Sequence, residues 1–199
     1  MSETLRSSPI RAQRFAVVDV ETSGLDIRKH HVLQVGIVTI DGTGTVLDRW
    51  SSLVAPRSRL WFRVGPTHIH GIHRSDVRSA PPAAAVYAEL ARRMRGARFV
   101  AHNAEFDLAF LRKAAQAAGV ELPIDSPVCT LQLSRRLDPQ RISSHRLADV
   151  CERYGVELTR AHDALADAEA AAAVLPHLLR AHGIDTVEQL PAMTVRQRS

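Results

Sequence analysis

The stretch Phe15-Ala-Val-Val-Asp-Val-Glu21 constrains this chain of 199 residues more than any other. It is apolar on both faces, which suits a strand inside a sheet that is covered on both sides. Side chains two apart share a face, so Phe15, Val17, Asp19 and Glu21 point the same way. Two carboxylates therefore finish an otherwise apolar row. Left unpaired they repel each other and lose solvation, and a cation resolves both problems. The turn residues Thr22-Ser23-Gly24 then let backbone come close to a ligand. Taken alone, the pair reads equally as a solvated strand end with two surface acids.

The rest of the chain supplies a sheet around that strand. Val32 to Ile40 and Thr45 to Val54 read as strands, with Asp41-Gly42-Thr43-Gly44 as the hairpin turn between them. A helical turn is expected near Pro66 to His70, and a helix from Pro81-Pro82 to about Arg95. Arg98 to Ala101 reads as a fourth strand. Asn103 is a candidate cap for the helix after it, which Gly119 ends. A short strand near Val128, a helix from Thr130, a helix over Arg146 to Tyr154 and an Ala-rich helix over Asp163 to Ala181 follow. This order predicts an α/β fold, a mixed five-stranded sheet with helices on both faces. The expected boundaries are a disordered arm over 1–13, one domain over 14–182 and a C-terminal tail over 183–199.

Two further segments carry carboxylates on faces that should pack. In His102-Asn103-Ala104-Glu105-Phe106-Asp107, helical spacing puts Asp107 on one stripe with Phe110, Leu111 and Ala114. Glu105 is explained by the helix dipole; Asp107 on a core stripe needs a partner. Phe106 reads as a core anchor. In His162-Asp163-Ala164-Leu165-Ala166-Asp167, Asp167 heads a row with Ala171, Val174 and Leu178. Asp163 reads as the N-cap, and His162 falls just before the helix, where it meets solvent.

Each segment is weak alone. Together they resemble the DnaQ-like exonucleases, the DEDDh branch of the ribonuclease H-like superfamily. The family's first motif, D-x-E-T-[ST]-G, is met by Asp19 to Gly24, followed by Leu25. Its second, H-N-x-x-F-D, is met by His102 to Asp107, and its third, H-x4-D, by His162 and Asp167. The similarity extends to His70-Gly71-Ile72 and to Leu147 to Gly155, and covers roughly residues 14–180. One departure is Cys129-Thr130-Leu131, where relatives often carry Asp-Thr-Leu.

The resemblance implies a ribonuclease H-like fold and a metal-dependent 3′–5′ exonuclease, releasing nucleoside 5′-monophosphates from single-stranded 3′ ends of DNA in proofreading or repair. It implies Asp19, Glu21, Asp107 and Asp167 as ligands of two Mg²⁺ or Mn²⁺ ions, whose charge balances four carboxylates and whose hardness suits oxygen donors. It implies His162 as general base, a role that suits an imidazole near neutral pH. Thr22, Ser23, Gly24 and Leu25 are the expected nucleotide pocket, with Leu25 against the last base. His70, His102 and Asn103 are further candidate nucleotide contacts, each with a structural role as its alternative. Trp50 and Trp61 read as packing or rim residues.

The net charge of +5 suits a polyanionic partner. The expected partner is a single-stranded 3′ end, with a DNA polymerase as a second and no membrane. The polar first residues lack the apolar region of a signal peptide, and Cys129 and Cys151 cannot make a disulfide framework, so a cytoplasmic location is expected. Gln189-Leu190-Pro191-Ala192-Met193 is a poor match to a clamp-binding segment and reads as loose tail. The alternatives are an exoribonuclease on the same fold and a non-catalytic docking module of a polymerase assembly. An inactive member should have lost a carboxylate or the histidine, and all five are present.

Overall fold

The computed structural model describes residues 8–56, 58 and 62–193. Five strands form one sheet: β1 (Arg14–Thr22), β2 (Val32–Asp41), β3 (Val46–Leu53), β4 (Arg98–Ala101) and β5 (Val128–Cys129). Their order is β3-β2-β1-β4-β5. The β1–β2 and β2–β3 pairs are antiparallel, while β4 and β5 run parallel to β1. This is the ribonuclease H-like arrangement, with the doubly apolar strand at its centre.

The helices are α1 (Thr67–His70), α2 (Arg74–Arg78), α3 (Ala83–Met94), α4 (Ala104–Ala117), α5 (Thr130–Arg136), α6 (Leu147–Arg153) and α7 (Ala164–Ala181). Alternation along β1 sends its side chains into two separate cores. Phe15 and Val17 pack with Val174, Leu175 and Leu178 of α7. Ala16, Val18 and Val20 pack with Tyr87 and Leu90 of α3 and Leu108 and Leu111 of α4. Each fully buried large side chain contributes about 1.5–3 kcal/mol relative to exposure. Alanines at 168, 170, 171 and 172 are all buried and let α7 lie close on the sheet. Asp163 caps α7 as expected, its Oδ1 accepting from the Ala166 N–H at 3.0 Å, a contact worth about 1 kcal/mol.

Two expectations fail at the chain ends. Residues 8–13 are not a loose arm where they are described: Pro9 bridges Thr186, and the Ile10 N–H donates to the Asp185 carbonyl at 2.8 Å. Ile184 and Leu190 are buried against α7's core, so residues 183–190 are part of the domain rather than tail. Both corrections share a cause. Each segment offers few apolar residues, but each supplies the other's backbone partners, which local patterning cannot register. Burial of Leu190 also removes the second residue of the clamp-like segment from the surface. Residues 1–7, 194–199 and Trp61 lie outside the described residues. Trp50 is half-buried under Arg93, whose guanidinium sits 5.4 Å from its ring centre. No helix among the described residues is long and apolar enough to cross a membrane.

Candidate active site

The site stands at the carboxyl end of β1, where the two helical layers meet. Asp19 and Glu21 enter from β1 on the α7 side. Asp167 comes from the first turn of α7, on that same side. Asp107 comes from the first turn of α4, on the opposite side. It reaches across the strand end, where its carboxylate accepts from its own N–H and that of Val20.

The environment opposes charge on all four acids. Burial pushes the Glu21 carboxyl up to about 7, with Asp167, Asp163 and Asp107 adding repulsion. Burial likewise pushes Asp107 up to about 7 against those two N–H bonds, Asp167 adding to the rise. Asp19 is raised well above the usual carboxylate range by burial and then by its three acidic neighbours and Asp163. Asp167 is raised by burial, with the His162 N–H working the other way. Four acids held together at this cost in charge repulsion are a candidate donor set for a cation, and two of them, Glu21 and Asp167, lie with His162 in a group that could hold one. They are oxygen-only donors, which fits Mg²⁺ or Mn²⁺.

His162 adds the one imidazole at the cluster's edge. It is exposed, and its ring lies with Glu21 and Asp167 in a group whose candidate ligand atoms are all within 4.8 Å of one another. Its backbone has φ +68 and its N–H donates to Asp167 Oδ2 at 3.0 Å. A left-handed conformation costs a non-glycine residue about 1–2 kcal/mol, so the surrounding contacts hold this turn in place.

The turn after β1 is knitted together. Thr22 Oγ1 donates to the Gly24 carbonyl at 2.9 Å, and Ser23 Oγ accepts from the His31 N–H at 3.0 Å and meets His30 Nδ1 at 3.3 Å. Gly24 has φ +155, and a Cβ there would sit 2.6 Å from the His30 ring. The turn leaves Leu25, four residues after Glu21, standing 83% exposed.

For the other two histidine candidates the hydrogen bonds match the structural alternative. His70 is buried, with Nε2 on the Val64 carbonyl and Nδ1 accepting from the Ile72 N–H, each at 3.0 Å. His102 meets Thr130 Oγ1 through Nδ1 at 3.0 Å and the His145 carbonyl through Nε2 at 2.9 Å. Neither ring has a nitrogen left for a nucleotide, because closing these loops already consumes both. Asn103 occupies the N-cap position of α4, yet its side chain makes no capping bond and is exposed.

Sequence reasoning missed Gly36. Asp19 pairs with Gly36 across β1–β2. A Cβ on Gly36 would lie 2.2 Å from the Ala164 carbonyl oxygen. The absent side chain lets the start of α7 touch the sheet. Two residues earlier, Gln34 Oε1 accepts from the Ala164 N–H at 3.3 Å. Together they seat the helix that carries Asp167. The signal available in sequence was only a glycine inside a strand, which marks a close approach without saying of what.

A family model described as exonuclease, RNase_T, matches residues 16–175. The chain is 32% identical over 168 residues to a DNA polymerase III PolC-type of Bacillus cereus, covering 84% of this chain and 11% of that protein. It is 31% identical over 186 residues to the 3′–5′ exonuclease DinG of Bacillus subtilis, covering 93% of this chain and 19% of that one. The chain thus spans less than a fifth of the length of these relatives. Among solved structures, Exonuclease X in complex with 5′ overhanging duplex DNA matches with a TM-score of 0.68 and 25% identity, over 89% of this chain and 96% of that one.

Proposed function

The chain belongs to the RNase_T exonuclease family, and on that premise we propose that it is a 3′–5′ exonuclease that hydrolyses phosphodiester bonds at single-stranded 3′ ends of DNA, releasing nucleoside 5′-monophosphates. One observation carries the reading: Asp19, Glu21, Asp107 and Asp167 converge from both helical layers on one strand end, their protonation raised by burial and mutual repulsion, with His162 open to solvent beside them. The polarity and the DNA substrate draw support from the 3′–5′ exonuclease DinG and from Exonuclease X with its DNA.

The four carboxylates would hold two Mg²⁺ or Mn²⁺ ions. When bound, the ions supply charge to stabilise the attacking and leaving oxygens of the scissile phosphate. The residues of the chain do the rest. Leu25 packs against the terminal base, and the Thr22–Gly24 backbone sets the depth to which that nucleotide enters. His162 takes the proton of the attacking water, and its exposure lets that proton pass to solvent. The bond to Asp167 Oδ2 keeps the His162 turn registered to the acids. The same site would serve proofreading beside a DNA polymerase or repair as a separate enzyme.

The test uses DNA and RNA strands of matched sequence, labelled at the 5′ end and digested side by side with Mg²⁺, Mn²⁺ or EDTA. DNA should shorten stepwise from its 3′ end with either ion and stay intact in EDTA. Faster shortening of RNA would move the reading to an exoribonuclease. Undiminished cleavage in EDTA would remove the carboxylates from the chemistry.

A further inference from the structure

The parallel strands β1, β4 and β5 all end on the same edge of the sheet. Ligands of open α/β sheets gather outside such carboxyl ends. The Thr22–Leu25 turn follows β1, and His102-Asn103 follows β4. Beyond them, after β5, lies a cleft of about 290 Å³ lined by Asn103, Glu105, Gln132, Arg135, Arg136 and Arg141 among others. It adjoins the carboxylate site through Asn103 and Glu105, which open the helix that bears Asp107.

Three arginines there face one carboxylate, Glu105. Arg136 and Arg141 are exposed and Arg135 is partly so. Among the described residues none of the three forms an ion pair. Arg136 makes a single bond, to the Ala192 carbonyl at 3.3 Å. Some arginines elsewhere are paired, as Arg49 is with Glu169 at 2.8 Å and Arg92 with Glu89 at 2.7 Å, and others, such as Arg112 and Arg160, form no ion pair among the described residues; what sets these three apart is that they line one cleft. The loop that presents Arg141 is built firmly. Asp138 accepts from the Ile142 N–H at 3.1 Å and the Ser143 N–H at 2.8 Å, and its carbonyl accepts from the Arg141 N–H at 2.9 Å. Its carboxylate is thereby occupied with backbone and also lies 3.3 Å from His145 Nε2, so Glu105 is the one carboxylate among the described residues lining the cleft.

We propose that this cleft is the track for the strand upstream of the scissile bond, Arg135, Arg136 and Arg141 holding the backbone phosphates of a single-stranded polynucleotide. The proposal rests on the exonuclease reading of the carboxylate site. A 3′ end seated at Leu25 must leave past β4 or past β2. On the β2 side Thr22 pairs with Val32 and α7 seats against Gly36. The β4 side opens onto the arginines. Guanidinium groups suit phosphate geometry and are indifferent to base identity, so the track gives length-dependent and sequence-independent affinity.

The probe is a fluorescent single-stranded oligonucleotide bound in EDTA and read by anisotropy, so that binding is measured without cleavage. In the wild type, affinity should rise as the strand grows from roughly three to roughly ten nucleotides. The triple variant Arg135→Ala, Arg136→Ala, Arg141→Ala should lose that rise. Its plot of log affinity against log salt should flatten by about 0.7 for each phosphate contact removed. The single variant R141E, on an exposed loop, should weaken binding of the longer strand by about 10-fold or more and guards against a folding defect in the triple variant. Wild-type cleavage combined with unchanged length and salt dependence in both variants would overturn the track while leaving the exonuclease reading intact. Length-dependent binding lost in the variants, but no wild-type cleavage, would support the track and sink that reading.

Discussion

His102 and His162 each precede a site carboxylate by five residues, 102 to 107 and 162 to 167, and each stands at the entrance of the helix that carries it. Their surroundings differ completely. His102 ends a buried strand, both ring nitrogens are bonded within the protein, and burial pushes its imidazole down to about 4. His162 is exposed, sits in a left-handed turn, and is tied only through its backbone to Asp167. The first histidine is fastened into the scaffold; the second is left open to solvent. The helices follow suit. α4 is fixed by His102 bridging to the start of α5 and to the loop before α6, whereas α7 is fixed by direct contact with β2 at Gly36.

The largest expected effect separates the two histidines. His162→Ala should lower turnover by roughly 10²–10⁴-fold and leave the melting temperature nearly unchanged, since the exposed ring packs against little. Single-turnover assays with thermal melts check this. Near-normal turnover would erase the distinction drawn here and assign the base elsewhere.

Next comes the seat of α7. Gly36→Ala places a methyl where only 2.2 Å separates it from the Ala164 carbonyl oxygen. Such overpacking typically costs about 1–3 kcal/mol, and the shift of Asp167 and His162 should cut activity by up to about 100-fold. The thermal stabilisation given by Mn²⁺ should shrink with it, which a merely destabilised scaffold would not require. A variant that keeps full activity and full Mn²⁺ response would show that α7 does not need this contact.

His102→Ala should act chiefly on stability. Removing the ring strands the His145 carbonyl and leaves Thr130 Oγ1 only its long 3.5 Å bond to the Ala101 carbonyl, at about 1–3 kcal/mol for a buried group left unsatisfied. Assayed well below its melting point, this variant should lose less activity than either α7 variant. A loss of activity as deep as that of His162→Ala, with normal stability, would make His102 part of the chemistry.

The smallest effect is the pH dependence of the metal-free protein. Glu21 and Asp107 are raised to about 7 in the folded state. The native state therefore binds more protons than the unfolded state between about pH 4 and 7. Stability linked to these groups is complete below the unfolded values and is lost as pH rises through 7. Melting curves in EDTA should fall over that window. Mn²⁺ should offset the fall by binding the native state. Asp19→Asn removes one of the repelling charges, so in EDTA it should melt no lower than wild type and show a shallower decline. A steep drop in its melting point would assign Asp19 a structural partner.

Much of this was readable in the chain itself. The doubly apolar run Phe15 to Glu21 required a central strand, and the period of two put Asp19 and Glu21 on one face. Helical spacing put Asp107 and Asp167 on packed stripes, where a carboxylate demands a partner. Local patterning carried these because each depends only on residues a few positions apart. It could not show that Asp107 arrives from one side of the sheet and Asp167 from the other. It separated a solvent-facing His162 from His102, but it could not name what holds His102, whose partners lie 28 and 43 residues away. Gly36 was silent for the same reason, since its function is to leave room for Ala164. The chain ends were misread because segments 8–13 and 183–190 satisfy each other's backbone, a pairing that exists only once the sheet has brought them together. Sequence named the candidate groups of the site. Tertiary structure decided which of them are fastened and which are free, because long-range hydrogen bonds and close backbone contacts leave no periodic trace.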